Sequence, residues 1–411
     1  MAPPSGPGRA TAMSAWHLFV ARLCRRLYYS RVTVLGAERL PMQGPVLFVA
    51  LHRNGAVDGC VYASVLPPAV FMISTQLTRS PIGRLFFTGI EVVREKDRGD
   101  RSRNRRAIQE CLDLLARGGR LVVMPEGTSS LGPRHLPFQP GAARIASAAL
   151  AAGVPLAVVP LGVHYERAWA FRSRVEVVVG HALETVLAPE LDEERRVATL
   201  HERIAEGLES VGAQFESAAA QEQCEQLAYV ATLATERNYF DSLKQLETGI
   251  PTAIREAAAR VGHQAGRKSL LRHQGVPLCP MCPVALYAAL LVVLTPVVTI
   301  AALSNLPPLA AAWWAGRHFP DDRNVVALWR LLVGLPALLG WALVVIGISI
   351  TVADWRGAAV YAVATLAGIQ AWYRYKKLAV AVVNGLRFPS LTENLLGFRE
   401  TVIRELGHGA R

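Results

Sequence analysis

From Val284 to Leu303 the chain runs for about twenty residues on almost nothing but apolar side chains, the length a helix needs to cross a hydrocarbon core. Val325 to Val352 is a second such segment, with Arg330 near its start, and Ala358 to Tyr373 is a shorter third beyond the Asp354-Trp355-Arg356 turn. A chain with these runs is not wholly soluble, because part of its apolar area is destined for lipid. Asn305, Pro307 and Pro308 end the first run, and Trp313 and Trp314 suit an interface. Arg374, Lys376, Lys377 and Arg387 follow the third. The positive-inside tendency keeps them cytoplasmic with the N-terminal part, which requires an even number of crossings. Three visible segments conflict with that, so either one is re-entrant or two act as a pair.

The chain is 411 residues long, with 52% hydrophobic and 18% charged residues, a composition that excludes a disordered protein. Forty-four Lys and Arg against 32 Asp and Glu give a net charge of +12, which favours anionic partners. Phospholipid headgroups and nucleic acid both qualify. The apolar C-terminal third tips the choice to membrane phospholipid, and no aromatic interleaving or binding motif supports nucleic acid. The six cysteines are scattered, as in a reducing compartment. Cys279 and Cys282 form the one close pair, but a structural zinc site needs four ligands and only His273 lies nearby, so no metal is expected.

Residues 1–30 read as a flexible leader followed by a basic amphipathic helix, Met13 to Tyr29, in which Trp16, Phe19, Leu23 and Leu27 interleave with Arg22, Arg25 and Arg26. Such a helix either lies in a membrane interface or packs on the next domain. Over 31–189, short β-branched runs alternate with helical stretches: Val32-Leu35, Val46-Leu51, Val70-Ser74, Ile90-Val93, Leu121-Met124, Leu156-Val163 and Val175-Val179. That alternation predicts an α/β domain with a central mixed β-sheet flanked by helices. Residues 190–280 read as a helical connector, and 281–411 as a membrane-embedded helical region.

The strand Val46-Leu51 opens into a loop carrying His52 and, five residues between, Asp58. An Asp can hold an imidazole in one tautomer and stabilise its charged form, so the His can take a proton from a hydroxyl. The plainer alternatives are a helix cap for Asp58 and a hydrogen-bonded structural His52. No Gly-x-Ser-x-Gly elbow is present, nor a phosphate-loop or dinucleotide fingerprint. A base without a protein nucleophile implies that the substrate supplies the nucleophile, hence direct transfer. A second strand end, Val122 to Met124, opens into Pro125-Glu126-Gly127-Thr128-Ser129, followed by Pro140-Gly141-Ala142-Ala143-Arg144.

With these blocks the sequence resembles the phospholipid and glycerol acyltransferase family, whose hallmarks are His-x4-Asp, a Gly-to-Arg block, Phe-Pro-Glu-Gly and a later Val-Pro block. The matching stretches occur in that order: His52 to Asp58, Gly89 to Arg94, Pro125-Glu126-Gly127, and Val158-Val159-Pro160-Leu161-Gly162. The His-to-Asp spacing is one residue longer than usual, as in a subgroup that includes the fungal glycerol-3-phosphate and dihydroxyacetone-phosphate acyltransferases. That subgroup also resembles this chain at Pro140 to Ala146 and at Phe171-Arg172-Ser173-Arg174-Val175. Met124 replaces the usual Phe, and Ser129 stands where many members have Arg.

The resemblance implies that His52 is the general base and Asp58 its orienting partner, acting on a thioester of acyl-CoA or acyl carrier protein, with no cofactor. It implies an acceptor of the glycerol 3-phosphate, 1-acylglycerol 3-phosphate or lysophospholipid type, held by Arg94, Glu126, Gly127 and Thr128, with Arg144 and Arg172 as further candidates. Arginine suits a phosphate because its planar fork makes paired, charge-assisted hydrogen bonds. The basic run Arg94 to Arg106 suits either a solvated face or attraction to anionic lipid and donor phosphates. The catalytic domain is expected to face the cytoplasm, at the inner membrane of a bacterium or the endoplasmic reticulum of a eukaryote. The alternative from another class is a non-catalytic lipid-binding membrane protein on a degenerate acyltransferase domain.

Overall fold

The structure is a computed structural model that describes residues 13–93, 103–233, 237–265, 269–281 and 283–407. It divides into two compact units: residues 13–26, 32–163 and 177–212 in one, and residues 27–31, 164–176 and 213–407 in the other.

The first unit holds α1 (Ala15–Tyr28), β1 (Arg31–Leu35), β2 (Val46–Ala50), α2 (Val57–Val65), β3 (Val70–Ser74), α3 (Pro81–Phe86), β4 (Ile90–Val92), α4 (Arg103–Ala116), β5 (Arg120–Val123), α5 (Gly141–Ala151), β6 (Ala157–Tyr165), β7 (Arg174–Val179) and α6 (Glu193–Val211). The last residues of α1 and the ends of β1, β6 and β7 count with the second unit. The strands form one mixed sheet in the order β1-β7-β6-β2-β5-β3-β4. Each predicted strand lies within two residues of an observed one. Every residue of β2 is buried, because it runs parallel to both neighbours, β5 and β6, and helices cover both faces. Leu200, Ile204 and Leu208 of α6 recur four residues apart and enter the sheet's core beside Ile145 of α5 and Leu114 of α4. On α1, Trp16 donates its indole N–H to the Leu85 carbonyl of α3 at 2.9 Å, so this basic helix packs on the domain.

The stretch expected as a single connector is divided between the units. Whereas α6 belongs to the sheet's core, α7 (Ala218–Ala231), α8 (Tyr239–Glu247) and α9 (Thr252–Ala265) lie in the second unit. There they are followed by a two-residue hairpin of β8 (Arg272–His273) and β9 (Val276–Pro277), then α10 (Val284–Ser304), α11 (Leu306–His318), α12 (Val326–Arg387) and α13 (Pro389–Gly407). Leu227, Leu243, Ile254, Val402 and Leu406 form a core shared by α7, α8, α9 and α13, which is why these helices segregate from α6.

Among the described residues, two helical segments are long and apolar enough to cross a membrane, Val284–Ser304 and Arg323–Val352. Val292 and Leu343 are 71% and 73% exposed, whereas the core helix of a soluble protein would bury such side chains. The third apolar run continues α12, which is broken at Asp354 (φ 68, ψ 178). The Asp354 carboxylate accepts the Trp355 N–H at 2.6 Å and starts the second arm. Trp341 donates to the Ser304 carbonyl at 2.7 Å, while Thr365 and Tyr361 bond the Asn305 side chain at 2.9 and 2.7 Å. Both arms therefore meet the same point of α10 at similar distances from Asp354, and they must run antiparallel. Gly368 packs against Ala301 and Gly385 against Val284, which sets α10 antiparallel to the second arm. Gly334 packs against Ala312 and Gly316 against Arg330, which folds α11 back along the first arm. The result is two helical hairpins, turning at Asn305 and Asp354, whose open ends lie on one side.

Candidate active site

Neighbouring parallel strands present their C-terminal ends at the same sheet edge, and β2 and β5 are such neighbours, with Val49 beside Val123. His52 follows β2 and Glu126 follows β5, so topology alone brings two loops together here. Gly55 takes a left-handed conformation (φ 55), and this reversal lets Asp58, in the first turn of α2, turn back on the loop.

Asp58 Oδ2 accepts the backbone N–H groups of Arg53 and Asn54, each at 2.7 Å, and stands 2.9 Å from His52 Nδ1. A carboxylate oxygen used as an acceptor in this way requires the ring nitrogen facing it to donate, which leaves the His52 Nε2 lone pair free to accept a proton. The Asp58 side chain is fully buried and that of His52 is 15% exposed, so the orienting group is sheltered and the base remains reachable.

Glu126 differs from its expected role. Its side chain is fully buried, with Oε2 accepting the His52 backbone N–H at 2.6 Å and Oε1 accepting the Leu136 N–H at 3.2 Å. Burial pushes this carboxyl up, against the lowering effects of the His52 amide, Arg53 and His52. Both Glu126 oxygens are engaged by backbone N–H groups, which ties the two loops together. Gly127 (φ 67) turns the chain outward and is exposed, and Thr128 is half-buried beside it.

Arg144 is exposed on α5, and Arg94, with most of the basic run, lies outside the described residues. Arg172 is a correction: it belongs to the second unit and is 1% exposed, with φ 64. Its guanidinium donates to the Tyr29 carbonyl and to Gln370 Oε1, both at 2.9 Å. A guanidinium engaged this way, with almost no exposed surface, ties chain segments together. Cys279 is half-buried, its thiol pushed up to about 11 chiefly by burial, and Cys282 lies outside the described residues.

Three contributors escaped sequence reasoning. Arg53 donates to the Gly132 carbonyl at 2.9 Å, Tyr62 donates to the Leu51 carbonyl at 3.0 Å, and His135, with a 4% exposed side chain, stands 4.0 Å from Glu126. Arg53 adjoins the His52 block, a weak signal; the other two have no local signature.

A family model described as Acyltransferase matches residues 31–164. Over 137 residues it is 32% identical to a 1-acyl-sn-glycerol-3-phosphate acyltransferase of Chlamydomonas reinhardtii, a match covering 33% of this chain and 40% of that relative. The chain thus spans about two fifths of the length of the curated relative it matches. A solved structure, the 1-acyl-sn-glycerophosphate acyltransferase PlsC of Thermotoga maritima, is 21% identical with a TM-score of 0.36, over 49% of this chain and 81% of that one.

Proposed function

We propose that this protein is a membrane-associated O-acyltransferase of glycerophospholipid synthesis. The observation that carries this reading is the His52–Asp58 pair, held on the family-matching domain with Nδ1 on the carboxylate and Nε2 free. In the reaction, His52 Nε2 takes the proton of an acceptor hydroxyl as its oxygen attacks the thioester carbonyl carbon of acyl-CoA or acyl-carrier protein. The carbon–sulfur bond then breaks, the ester remains on the acceptor, and the leaving thiolate takes the proton back from His52 as free thiol. Asp58 stabilises the transient imidazolium. Glu126 fixes the His52 backbone and is a positioning residue, whereas Gly127, Thr128, Arg94 and Arg144 are the candidates for acceptor contact.

The acceptor is of the glycerol-phosphate type: resemblance to the subgroup with the longer His-to-Asp spacing favours glycerol 3-phosphate, and the name of the algal relative favours 1-acylglycerol 3-phosphate. Membrane association is supported by the two apolar helical segments and by exposed Trp16, Phe19, Ile82 and Leu85 on α1 and α3. Purified protein given a long-chain acyl-CoA with each acceptor in separate reactions should yield an acylated product from one of them, and His52→Ala should yield none. A folded His52→Ala protein as active as the parent overturns the reading. Lipid binding without turnover, under either donor and any lysophospholipid, would favour the non-catalytic alternative.

A further inference from the structure

The second unit contains a cleft of about 370 Å³ between the helical hairpins and the segments around Tyr28 and Phe171. That is more than twice the roughly 150 Å³ of a buried cavity that accepts benzene. Its walls are almost wholly apolar, with Ala301, Leu335, Leu338 and Ile369 along its length. From Arg330 to Leu338 the wall follows two turns of the first arm of α12, roughly 12 Å at 1.5 Å per residue. Leu309 and Trp313, which also line it, are exposed, so the cleft opens sideways, where lipid would lie.

The two ends of the cleft differ. Around Asn305 and Thr365 the polar side chains bond one another at 2.9 Å and offer no charge. At the other end Arg330 lines the wall, donating Nη1 to the Trp169 carbonyl at 2.9 Å, and Lys376 lies with its ammonium 5.9 Å from the ring centre of Trp372, itself a lining residue. The two cations repel each other, and burial together with Arg330 lowers the Lys376 ammonium. Among the described residues no carboxylate lines the cleft or pairs with either cation. Two neighbouring half-buried cations without an acid are complementary to an anion, and an apolar trough leading away from them is complementary to a hydrocarbon chain.

The geometry points to a binding site for one acidic phospholipid, with one acyl chain in the cleft and its phosphate between Arg330 and Lys376. This site consists entirely of second-unit residues, includes none of the residues of the His52 loop, and rests on the reading that the helical hairpins lie in a bilayer.

Native mass spectrometry of the full chain in detergent, titrated with phosphatidic acid or phosphatidylcholine, tests it. One phosphatidic acid should be retained roughly tenfold or more tightly than phosphatidylcholine, given two cations near the headgroup. The Arg330→Gln/Lys376→Gln double variant should lose that preference while still holding either lipid weakly. Leu338→Trp, which fills the trough from a half-buried position, should weaken both. Equal retention of the two lipids, or an unchanged preference in the double variant with an unaltered melting temperature, overturns the proposal. So does displacement of the bound lipid by inorganic phosphate alone, which would mean that the chain contributes nothing. His52→Ala should bind the lipid as the parent does, which separates this result from the fate of the acyl-transfer reading.

Discussion

At residue scale the reactive geometry depends on one carboxylate oxygen. Asp58 Oδ2 serves the His52 ring and two backbone N–H groups together, so it sets both the tautomer and the loop that carries it. Asp58→Asn removes the charge that stabilises the imidazolium, and steady-state kinetics should show kcat reduced by roughly 10²–10⁴-fold in a protein that still folds. Gly55→Ala puts a Cβ on a left-handed residue, which costs about 1–2 kcal/mol and should lower both the melting temperature and the rate. Arg172→Gln separates structure from chemistry: the melting temperature should fall, since the Tyr29 carbonyl loses a buried donor, while KM for the acceptor stays put. The local sequence around Arg172 displays a phosphate-ready guanidinium, but its partner carbonyl lies 143 positions away, and no local pattern carries that information. His135 is hidden in the same way, because its nearness to Glu126 arises from a loop path and not from a spacing.

At element scale, what was legible follows the physics of parallel strands. A strand buried on both faces reads as an unbroken β-branched run, so β2 and β5 announce themselves, and the loops after them announce the site. Helix pairing is less legible, since apolar length defines a segment but not its neighbour; the contacts of Trp341 with Ser304 and of Tyr361 and Thr365 with Asn305 show the arms of α12 folding back. The small β8–β9 hairpin offers a titratable handle. His273 sits 2.6 Å from the Tyr229 hydroxyl, and burial, with Lys376, Lys377 and Arg174, lowers its pKa from 6.5 to about 3. The unfolded chain therefore binds more protons between those values, and this contribution to stability is complete above pH 6.5 and disappears as the pH falls towards 3. Thermal melts from pH 7 to pH 4 should show a declining melting temperature in the parent and a flatter profile in His273→Gln.

At the scale of the whole molecule, charge and hairpins tell one story. Arg317, Arg323, Lys376, Lys377 and Arg387 gather at the open ends of the hairpins, whereas the Asp354 turn carries only Asp354 and Arg356. In cells, the open ends should face the cytoplasm. A single cysteine introduced at Asp354 in a cysteine-free background should react with an impermeant thiol reagent on intact cells or sealed vesicles of native orientation, and one at Arg387 only after permeabilisation. Labelling of both, or of Arg387→Cys first, would show a different topology.

The two turns also bear on how such a chain reaches its membrane. With the open ends cytoplasmic, the far side would receive only the few residues around Asp354, because the Ser304–Asn305 turn meets α12 at Trp341, Tyr361 and Thr365, short of that bend. Among the described residues from 284 to 387 no long hydrophilic loop would then have to be exported, and biogenesis would reduce to the insertion of two pre-paired wedges. The charge to be carried across would be little more than one acid and one base two positions apart, which leaves the insertion machinery almost nothing to translocate.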